Sequence, residues 1–398
     1  MEYKISEKMI NMKPSAIREI FKSLSDPSMI AFAAGNPAPE SFPVAELGAI
    51  SADIFAGNAA AALQYSITEG YPPLREALKK RLRERFGIGK ADDEVIIVSG
   101  GQQGLELTCK VMCGEGDAVV CENPSFIGAL NAFRSLGAKT IGVDMENGGM
   151  DTEKLEETLK TVPGVKLIYI IPTFHNPAGT TTPYEKRAAV YKLALKYGAI
   201  ILEDDPYGEL RFKGEDIQTI KSMDTEGIVV YCGSFSKILS AGMRVGFLCA
   251  PGKLMQKIIV AKQVEDVHTN IFFQMMCYRF MEKYDVNAHI AGIRALYRSK
   301  CAVMMDALDR YMPAEVKYTR PEGGLFVWCT LPDGVDLTEF ARRSLERKVA
   351  VVPGTAFNCD EKAPSRSFRI TYSTPTEEQI KKGVMILSEV IKEMTEGR

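Results

Sequence analysis

The chain has 398 residues, 46% of them hydrophobic, which supports a large buried core and excludes an intrinsically disordered protein. Lysine and arginine number 49 against 51 acidic residues, so the net charge of −2 provides no attraction to nucleic acid or to an anionic membrane. The first residues are charged where a signal peptide is apolar, and no apolar run is long enough to span a bilayer. These features predict a cytoplasmic protein whose partners are small molecules, with no nucleic acid and no membrane among them.

The nine cysteines favour neither disulfides nor a metal site. Their number is odd, they form no CxxC pair and several lie in apolar runs, so we expect reduced, mostly buried side chains. Cys109 and Cys113 stand four residues apart on a predicted helix, a spacing that also suits a metal ion. Only three histidines occur and none completes a ligand set, so we prefer core packing and predict no metal.

Residues 94–262 alternate short β-branched runs with helical stretches, a pattern typical of a doubly wound α/β domain. Most of these runs lack polar alternation, which indicates a mostly parallel sheet covered by helices on both faces. Seven strands are predicted, at 94–98, 118–121, 140–143, 166–171, 199–204, 228–233 and 245–250. A helix with Thr182 as N-cap, ending at Gly198, joins two of them.

After residue 290 the predicted elements change to a long helix, short strands near 321–328, 349 and 368, and a helix from Leu337. We therefore divide the chain into three parts. They are an N-terminal arm (1–41) that packs on the small domain, a large α/β domain (42–290) and a small C-terminal α+β domain (291–398). No repeat or low-complexity linker is found, which predicts domains packed against each other.

Ligands bind beyond the carboxyl ends of parallel strands, so residues that follow the predicted strands are candidates for a site. Gly101 and Gln102, after the first strand, open a helix whose free N–H groups suit a phosphate; a purely structural glycine turn explains them equally well. Asp204 ends another strand, where a carboxylate needs a cation such as a protonated pyridine nitrogen. The alternative for Asp204 is a helix cap or a surface carboxylate.

A third candidate segment is PTFHNPAG, which follows the strand at 166–171. Asn176 lies in a turn fixed by Pro177 with its amide free to donate a hydrogen bond, although Asn-Pro alone marks only a turn. We interpret His175 as a turn or core histidine rather than a general base, because nothing nearby activates it.

The strongest candidate follows the strand at 228–233. Lys237 follows this apolar strand and the hydroxyls of Ser234 and Ser236, and Arg244 comes seven residues later. Partial desolvation keeps a lysine amine reactive, and the other groups suit a dianionic phosphate, so the segment favours an aldimine. The alternative is an ordinary surface lysine, but Lys237 shares its sheet edge with the other three segments.

Together these segments resemble the fold type I pyridoxal-phosphate (PLP) enzymes of the aminotransferase class I and II family, over nearly the whole chain. The matching motifs follow in family order: NPAG at 176–179, D-x-x-Y at 204–207, S-x-S-K at 234–237 with Arg244, PEGG-F-W near 323, V-P-G-x-x-F at 352–357 and FRI around Arg369. The resemblance implies an α/β protein of fold type I, with a seven-stranded mostly parallel sheet and a smaller α+β domain.

The family implies a role for each catalytic candidate. Lys237 forms the internal aldimine and later moves the Cα proton, while Asp204 keeps the pyridine nitrogen protonated. Asn176 and Tyr207 hydrogen-bond the phenolic oxygen, and Asn176 is also expected at the substrate. Phe126 stacks on the ring in place of the more common Tyr or Trp.

The remaining implied contacts hold the phosphate. The residues concerned are Gly101, Gln102, Ser234, Ser236 and Arg244, with Tyr65 lent by a neighbouring subunit. A homodimer with shared active sites is thereby implied.

The resemblance also implies how substrate binds. Arg369 forms a two-pronged pair with the α-carboxylate, a surface arginine being the alternative, and Gly35 and Asn36 resemble the turn that closes over the same group. The N-terminal segments look most like the α-aminoadipate and kynurenine aminotransferase branch, where a serine and an arginine approach the substrate side chain. Ser15 and Arg18 match that pair, although Arg18 is interpreted almost equally well as a polar residue of an amphipathic helix.

The implied reaction moves an amino group from an aminoadipate-like, aromatic or branched amino acid to 2-oxoglutarate, in two ping-pong half reactions through the Lys237 aldimine. One alternative is a β-eliminating C–S lyase of the same fold, which the sequence separates poorly from a transaminase. Another is a bacterial regulator that fuses this fold to a DNA-binding domain and senses PLP. The regulator needs about 100 further N-terminal residues, whereas we expect the fold to begin almost at Met1.

Overall fold

The computed structural model describes residues 3–10, 12, 26–90 and 92–396. Its α-helices are Glu7–Ile10 (α1), Val44–Leu63 (α2), Pro72–Phe86 (α3), Gly101–Met112 (α4), Ile127–Ser135 (α5), Thr152–Thr161 (α6), Tyr184–Tyr197 (α7), Ile220–Met223 (α8), Gly252–Glu265 (α9), Ile271–Lys283 (α10), Val286–Tyr311 (α11), Leu337–Glu346 (α12) and Glu377–Glu396 (α13). None of the helices in these ranges has the length and apolar character that crossing a membrane requires.

The β-strands are Ile30–Ala31 (β1), Asp93–Val98 (β2), Ala118–Asn123 (β3), Lys139–Glu146 (β4), Gly149–Met150 (β5), Val165–Ile170 (β6), Ile200–Asp204 (β7), Val229–Ser234 (β8), Gly246–Pro251 (β9), Lys317–Tyr318 (β10), Phe326–Thr330 (β11), Val349–Ala350 (β12), Val352–Pro353 (β13) and Ser367–Thr371 (β14). Short 3₁₀ helices occur at Pro39–Ser41, Gly208–Leu210 and Gly354–Phe357.

One large sheet has the strand order β2-β9-β8-β7-β6-β3-β4-β5. Its strands β4, β3, β6, β7 and β8 pair in parallel, whereas β9 runs antiparallel to both of its neighbours. All seven strands predicted from the sequence lie in this sheet, and the prediction of a mostly parallel α/β sheet is confirmed. The two-residue strand β5 adds an eighth, antiparallel to β4.

Helices cover both faces of the large sheet, as the unbroken apolar runs predict. On one face Ile168 and Ile201 pack with side chains of α6 and α7. On the other face Leu167 and Leu202 pack with side chains of α4 and α5. Both central strands are thus buried on two sides, which fixes the positions of the polar residues at their ends.

Helix α7 joins β6 to β7 and ends at Gly198, which adopts the left-handed conformation typical of a helix C-terminus. It begins one residue later than predicted. Pro183, not Thr182, is the N-cap, and the hydroxyl of Thr182 instead donates to the Gly148 carbonyl at 3.5 Å. The nine cysteines are free, and all except Cys113 are buried, so the prediction of mostly buried cysteines is confirmed.

A four-stranded antiparallel sheet, with the order β10-β11-β14-β13, packs against α11 and α13. The N-terminal segment joins this part of the molecule, because β1 pairs with β12 and the Phe32 ring lies against Gly383 of α13. Helix α11 spans residue 290, where the sequence suggests a boundary between large and small domains.

Candidate active site

A cavity of about 350 Å³ lies where the carboxyl ends of the parallel strands face β11 and β14 of the smaller sheet. Most of the residues that line it were singled out from the sequence. These are Gly35, Asn36, Gly101, Gln102, Phe126, Asn176, Asp204, Tyr207, Ser234, Ser236, Lys237, Arg244 and Arg369. Segments that are far apart in the chain therefore converge on one cavity.

Of the other three predicted site residues, only Tyr65 is among the described ones, and it does not line this cavity. Tyr65 is 82% exposed, and its ring centre lies 5.9 Å from that of His268. Ser15 and Arg18 fall outside the described residues.

Lys237 enters the cavity from the segment after β8. Its Nζ donates a hydrogen bond to the Gly35 carbonyl at 2.6 Å and lies 6.0 Å from the centre of the Tyr207 ring. Burial, together with the positive charges of Arg369 and Arg244, lowers the pKa of Lys237 to about 8. Near neutral pH a fraction of such amines is unprotonated, and only that form acts as a nucleophile or a base.

Asp204 is buried at the end of β7, within reach of one donor from the neighbouring strand. The hydroxyl of Tyr169 on β6 donates to Asp204 Oδ2 at 2.8 Å. Burial nevertheless raises the pKa of Asp204 to about 7, and the negative charge of Asp205 adds to the rise. A cation held against Asp204 offsets this desolvation, so the carboxyl group is suited to a cationic ligand.

The two acidic neighbours of Asp204 serve the scaffold instead. Glu203 accepts hydrogen bonds from the first backbone N–H groups of α8, at 2.8 and 2.7 Å. Asp205 accepts one from the hydroxyl of Tyr231 at 3.0 Å. Since neither Glu203 nor Asp205 lines the cavity, Asp204 alone of these three carboxyl groups is presented to a ligand there.

Arg369, on β14, bonds to two other segments of the chain. Its Nη1 donates to Asn176 Oδ1 and its Nη2 donates to the Ala33 carbonyl, both at 2.8 Å. The guanidinium carbon lies 4.3 Å from the centre of the Phe326 ring. Because Arg369 occupies Oδ1 of Asn176, the amide nitrogen of Asn176 remains available as a donor.

The charge of Arg369 is buried without a counter-charge. In the described part of the chain no ion pair involves Arg369, and its Nε has no hydrogen-bond partner. Burial lowers the pKa of Arg369 to about 10. A buried guanidinium with a free donor and a flat, two-pronged shape is a binding site for a carboxylate.

The start of α4 and the segment after β8 form a pocket with several hydrogen-bond donors. The first N–H groups of α4, at Gly101 and Gln102, have no partner inside the helix. Gly100 precedes them with a φ of 81°, and a Cβ there would collide with Nη2 of Arg244, so glycine lets the guanidinium lie against the helix start. With the nearby hydroxyls of Ser234 and Ser236, this arrangement suits a phosphate dianion.

His175 is buried and does not line the cavity, in agreement with a turn or core histidine. The expectation that nothing lies near to activate it is wrong, because its Nε2 is 3.2 Å from Oε2 of Glu122 on β3. Its Nδ1 accepts a hydrogen bond from the backbone N–H of Ala178 at 3.2 Å. The imidazole therefore lies between the turn that carries Asn176 and the Glu122 carboxyl group of β3.

Sequence reasoning missed several contributors to this site. Leu105, Ile171, Pro206, Ala241 and Phe326 line the cavity. Phe326 belongs to the PEGG-F-W motif, which was a usable signal, whereas the others look like ordinary apolar or turn residues. Tyr169, the donor to Asp204, was read only as part of an apolar strand.

Known proteins share the fold and most of the length of this chain. A model of the family described as aminotransferase class I and II matches residues 27–387. An aromatic-amino-acid aminotransferase of Thermococcus litoralis is 40% identical over 98% of this chain and 94% of its own, and a 2-aminoadipate transaminase of Thermus thermophilus is 39% identical over 96% and 94%. The crystal structure of Pyrococcus horikoshii kynurenine aminotransferase in complex with PMP superposes with a TM-score of 0.94, with 39% identity over 98% of this chain and 97% of that one.

The raised pKa of Asp204 predicts an unusual pH dependence for the ligand-free protein. In the folded protein the pKa of Asp204 is raised to about 7. The contribution of protonated Asp204 to the free energy of unfolding is therefore complete below the pKa that this group has in the unfolded chain, and it is lost as pH rises from there toward 7. We expect Asp204→Asn, which cannot ionise, to stabilise the ligand-free protein more at about pH 8 than at about pH 5. Thermal unfolding measured across this range checks the prediction.

The matched control is Asp306→Asn, at an exposed position of α11, which should follow the wild type at every pH. A gain from Asp204→Asn that is larger in acid than in base would contradict the assignment of a raised pKa.

Proposed function

The chain belongs to the aminotransferase class I and II family, and on this basis we propose that it transfers the amino group of an aminoadipate-like, aromatic or branched amino acid to 2-oxoglutarate. It is a PLP-dependent aminotransferase, as its family and relatives establish. The observation that carries the finer proposal is the convergence of Lys237, Asp204 and Arg369 on one cavity.

The lining residues fit PLP at both ends. The start of α4 and Arg244 offer donors and positive charge to the phosphate. Asp204 is a buried carboxyl group that a protonated pyridine nitrogen would stabilise. We assign the amide of Asn176 and the hydroxyl of Tyr207, which line the same cavity, as donors to the phenolic oxygen. Phe126, at the start of α5, is the ring that we assign to stack on the cofactor. Bound PLP supplies an electron sink that stabilises negative charge at the substrate Cα.

We assign two tasks to Lys237, covalent attachment of the cofactor and movement of the Cα proton. Its lowered pKa makes the neutral amine accessible near neutral pH. In each of two ping-pong half reactions the Nζ of Lys237 accepts the proton from one carbon and returns it to another. The hydrogen bond from Nζ to the Gly35 carbonyl keeps the amine within the cavity.

Arg369 is the residue that we assign to the α-carboxylate. Its buried, uncompensated charge and its free Nε support this role, because a carboxylate supplies both the counter-charge and the missing acceptor. An ideal Cβ placed on Gly35 would lie 3.9 Å from Nη2 of Arg369, so the Gly35–Asn36 turn is close enough to cover the same group.

The composition of the rest of the cavity favours substrates with apolar side chains. Among its described lining residues the charged side chains are Asp204, Lys237, Arg244 and Arg369, and each is already assigned. No further cation among these lining residues remains for a distal carboxylate, so we propose that dicarboxylic substrates depend on Arg18 and Ser15. The names of the relatives, aromatic-amino-acid aminotransferase and 2-aminoadipate transaminase, cover both substrate types.

We also propose a cytoplasmic C2 homodimer in which Tyr65 contributes to the phosphate site of the neighbouring subunit. Large apolar side chains are exposed near Tyr65 and its neighbour His268 in the sequence: Leu63 is 74% exposed and Val264 80%. Exposed apolar residues of this kind favour a protein interface, and a two-fold axis lets each subunit lend the same residue to the other.

A panel of amino donors with 2-oxoglutarate tests the activity. We expect turnover with aminoadipate, an aromatic or a branched donor, and a loss of kcat of about 10²–10⁴-fold in Lys237→Ala because the proton carrier is gone. Lys253→Ala, exposed on α9, is the matched control and should retain full activity. Wild-type turnover by Lys237→Ala would refute the assigned proton transfer, whereas pyruvate and ammonia formed from cystathionine without an oxo acid would favour a lyase.

Arg369→Lys tests the carboxylate site, because lysine keeps the charge but not the two-pronged geometry. We expect KM to rise about tenfold or more for every donor and for 2-oxoglutarate alike, since all share an α-carboxylate. Arg366→Lys, exposed and three residues away, should leave KM unchanged. A defect confined to dicarboxylic substrates would instead place the distal carboxylate at Arg369.

Mixed dimers test the sharing of active sites. Lys237→Ala and Tyr65→Ala proteins, unfolded together and refolded, should regain activity above either parent, because one site of the mixed dimer receives both intact residues. Refolding each parent alone is the control. If the mixture shows no gain although mixed dimers form, Tyr65 does not serve the neighbouring subunit.

A further inference from the structure

A polar cluster outside the cavity lies behind the turn that follows β2. It consists of Ser99, Gln103, Lys262, Asp266 and Thr269, and is called the Lys262 cluster below. Lys262 is 0% exposed, and its Nζ is 2.8 Å from Gln103 Oε1, 2.8 and 2.9 Å from the two carboxylate oxygens of Asp266, and 3.0 Å from Thr269 Oγ1. None of the five residues lines the cavity.

Burying an ammonium group is costly unless acceptors surround it, and an apolar side chain at the same position would avoid that cost. The acceptors here are themselves linked. Asp266 Oδ2 also accepts hydrogen bonds from Ser99 Oγ at 2.9 Å and from Gln103 Nε2 at 2.7 Å. The Lys262 cluster is therefore a connected network, which fixes the direction of each side chain within it.

The network holds Ser99 by its backbone as well as by its side chain. The Ser99 N–H donates to Gln103 Oε1 at 2.7 Å, and the Ser99 carbonyl accepts from Nη2 of Arg244 at 3.3 Å. Gly100 and Gly101 follow at once and lead into α4. Through Ser99, the Lys262 cluster is thus hydrogen-bonded to the turn before the start of α4. Ser99 also contacts the guanidinium of Arg244, which we assign to the phosphate.

We propose that the Lys262 cluster positions the phosphate-binding groups of this protein, holding Ser99 so that the start of α4 and Arg244 face one phosphate. This inference rests on the PLP-dependent function proposed above. Lys262 and Ser99 act through the turn and touch no ligand, so they are positioning residues.

The test compares PLP with pyridoxal, which lacks the phosphate, by titrating each into the cofactor-depleted enzyme. In Lys262→Met and in Ser99→Ala we expect the dissociation constant of PLP to rise about tenfold or more, while that of pyridoxal stays within about twofold of the wild-type value. Lys257→Met, at an exposed position of the same helix α9, is the matched control and should bind both as the wild type does.

Two results would overturn the proposal. One is an equal loss of affinity for PLP and pyridoxal, accompanied by a lower Tm, because the cluster would then support only the fold. The other is unchanged PLP affinity in both variants. If Lys262→Met does not fold, Ser99→Ala decides alone, since it removes one hydroxyl and leaves the Lys262–Asp266 pair intact. A wild-type enzyme without preference for PLP over pyridoxal would instead refute the proposed function.

Discussion

Buried ionisable groups that have no opposite charge beside them in the described part of the chain are the constraint on which this site depends. Three groups, Asp204, Lys237 and Arg369, have pKa values that are shifted in the direction that favours the uncharged form, and burial is the largest cause of each shift. Such groups destabilise an empty site and are stabilised only when a ligand brings the complementary charge. The surrounding core offsets that cost for Asp204 and Lys237, because β7 and β8, which lead to them, are packed by apolar side chains on both faces.

The scaffold and the motif residues were predictable because their signals are local. Unbroken apolar runs identify all seven long strands of the large sheet. Asp204 ends one of them, and Lys237 and Asn176 follow two others in short segments with characteristic residues. Strand β5 was missed because two residues show no periodicity. The helix at 184–197 was placed one residue early at its start, within the usual uncertainty of helix ends.

The contacts that could not be predicted depend on strand register. Tyr169 reaches Asp204 because β6 and β7 pair Tyr169 with Leu202, two positions before the carboxylate on the same face. Glu122 reaches His175 because β3 pairs with β6, and β6 leads into the turn that carries His175. The substrate was less predictable than the reaction, since the recognisable motifs are those that we assign to the cofactor and to the α-carboxylate. Every amino-acid substrate carries an α-carboxylate, so these motifs do not distinguish one substrate from another. The preference for one substrate side chain over another depends on residues that no sequence motif identifies.

Arg369 belongs to the smaller sheet, yet it bonds to Asn176 beyond the large sheet and to Ala33 in the N-terminal segment. A carboxylate held there adds a bond at the junction of these three segments. Binding of a carboxylate and contact between the two sheets are therefore thermodynamically linked. A change that raises the affinity of Arg369 for the carboxylate also raises the free energy needed to separate the two sheets. The contact between the two sheets is thus weakest between turnovers, when Arg369 is bonded only to residues of its own chain.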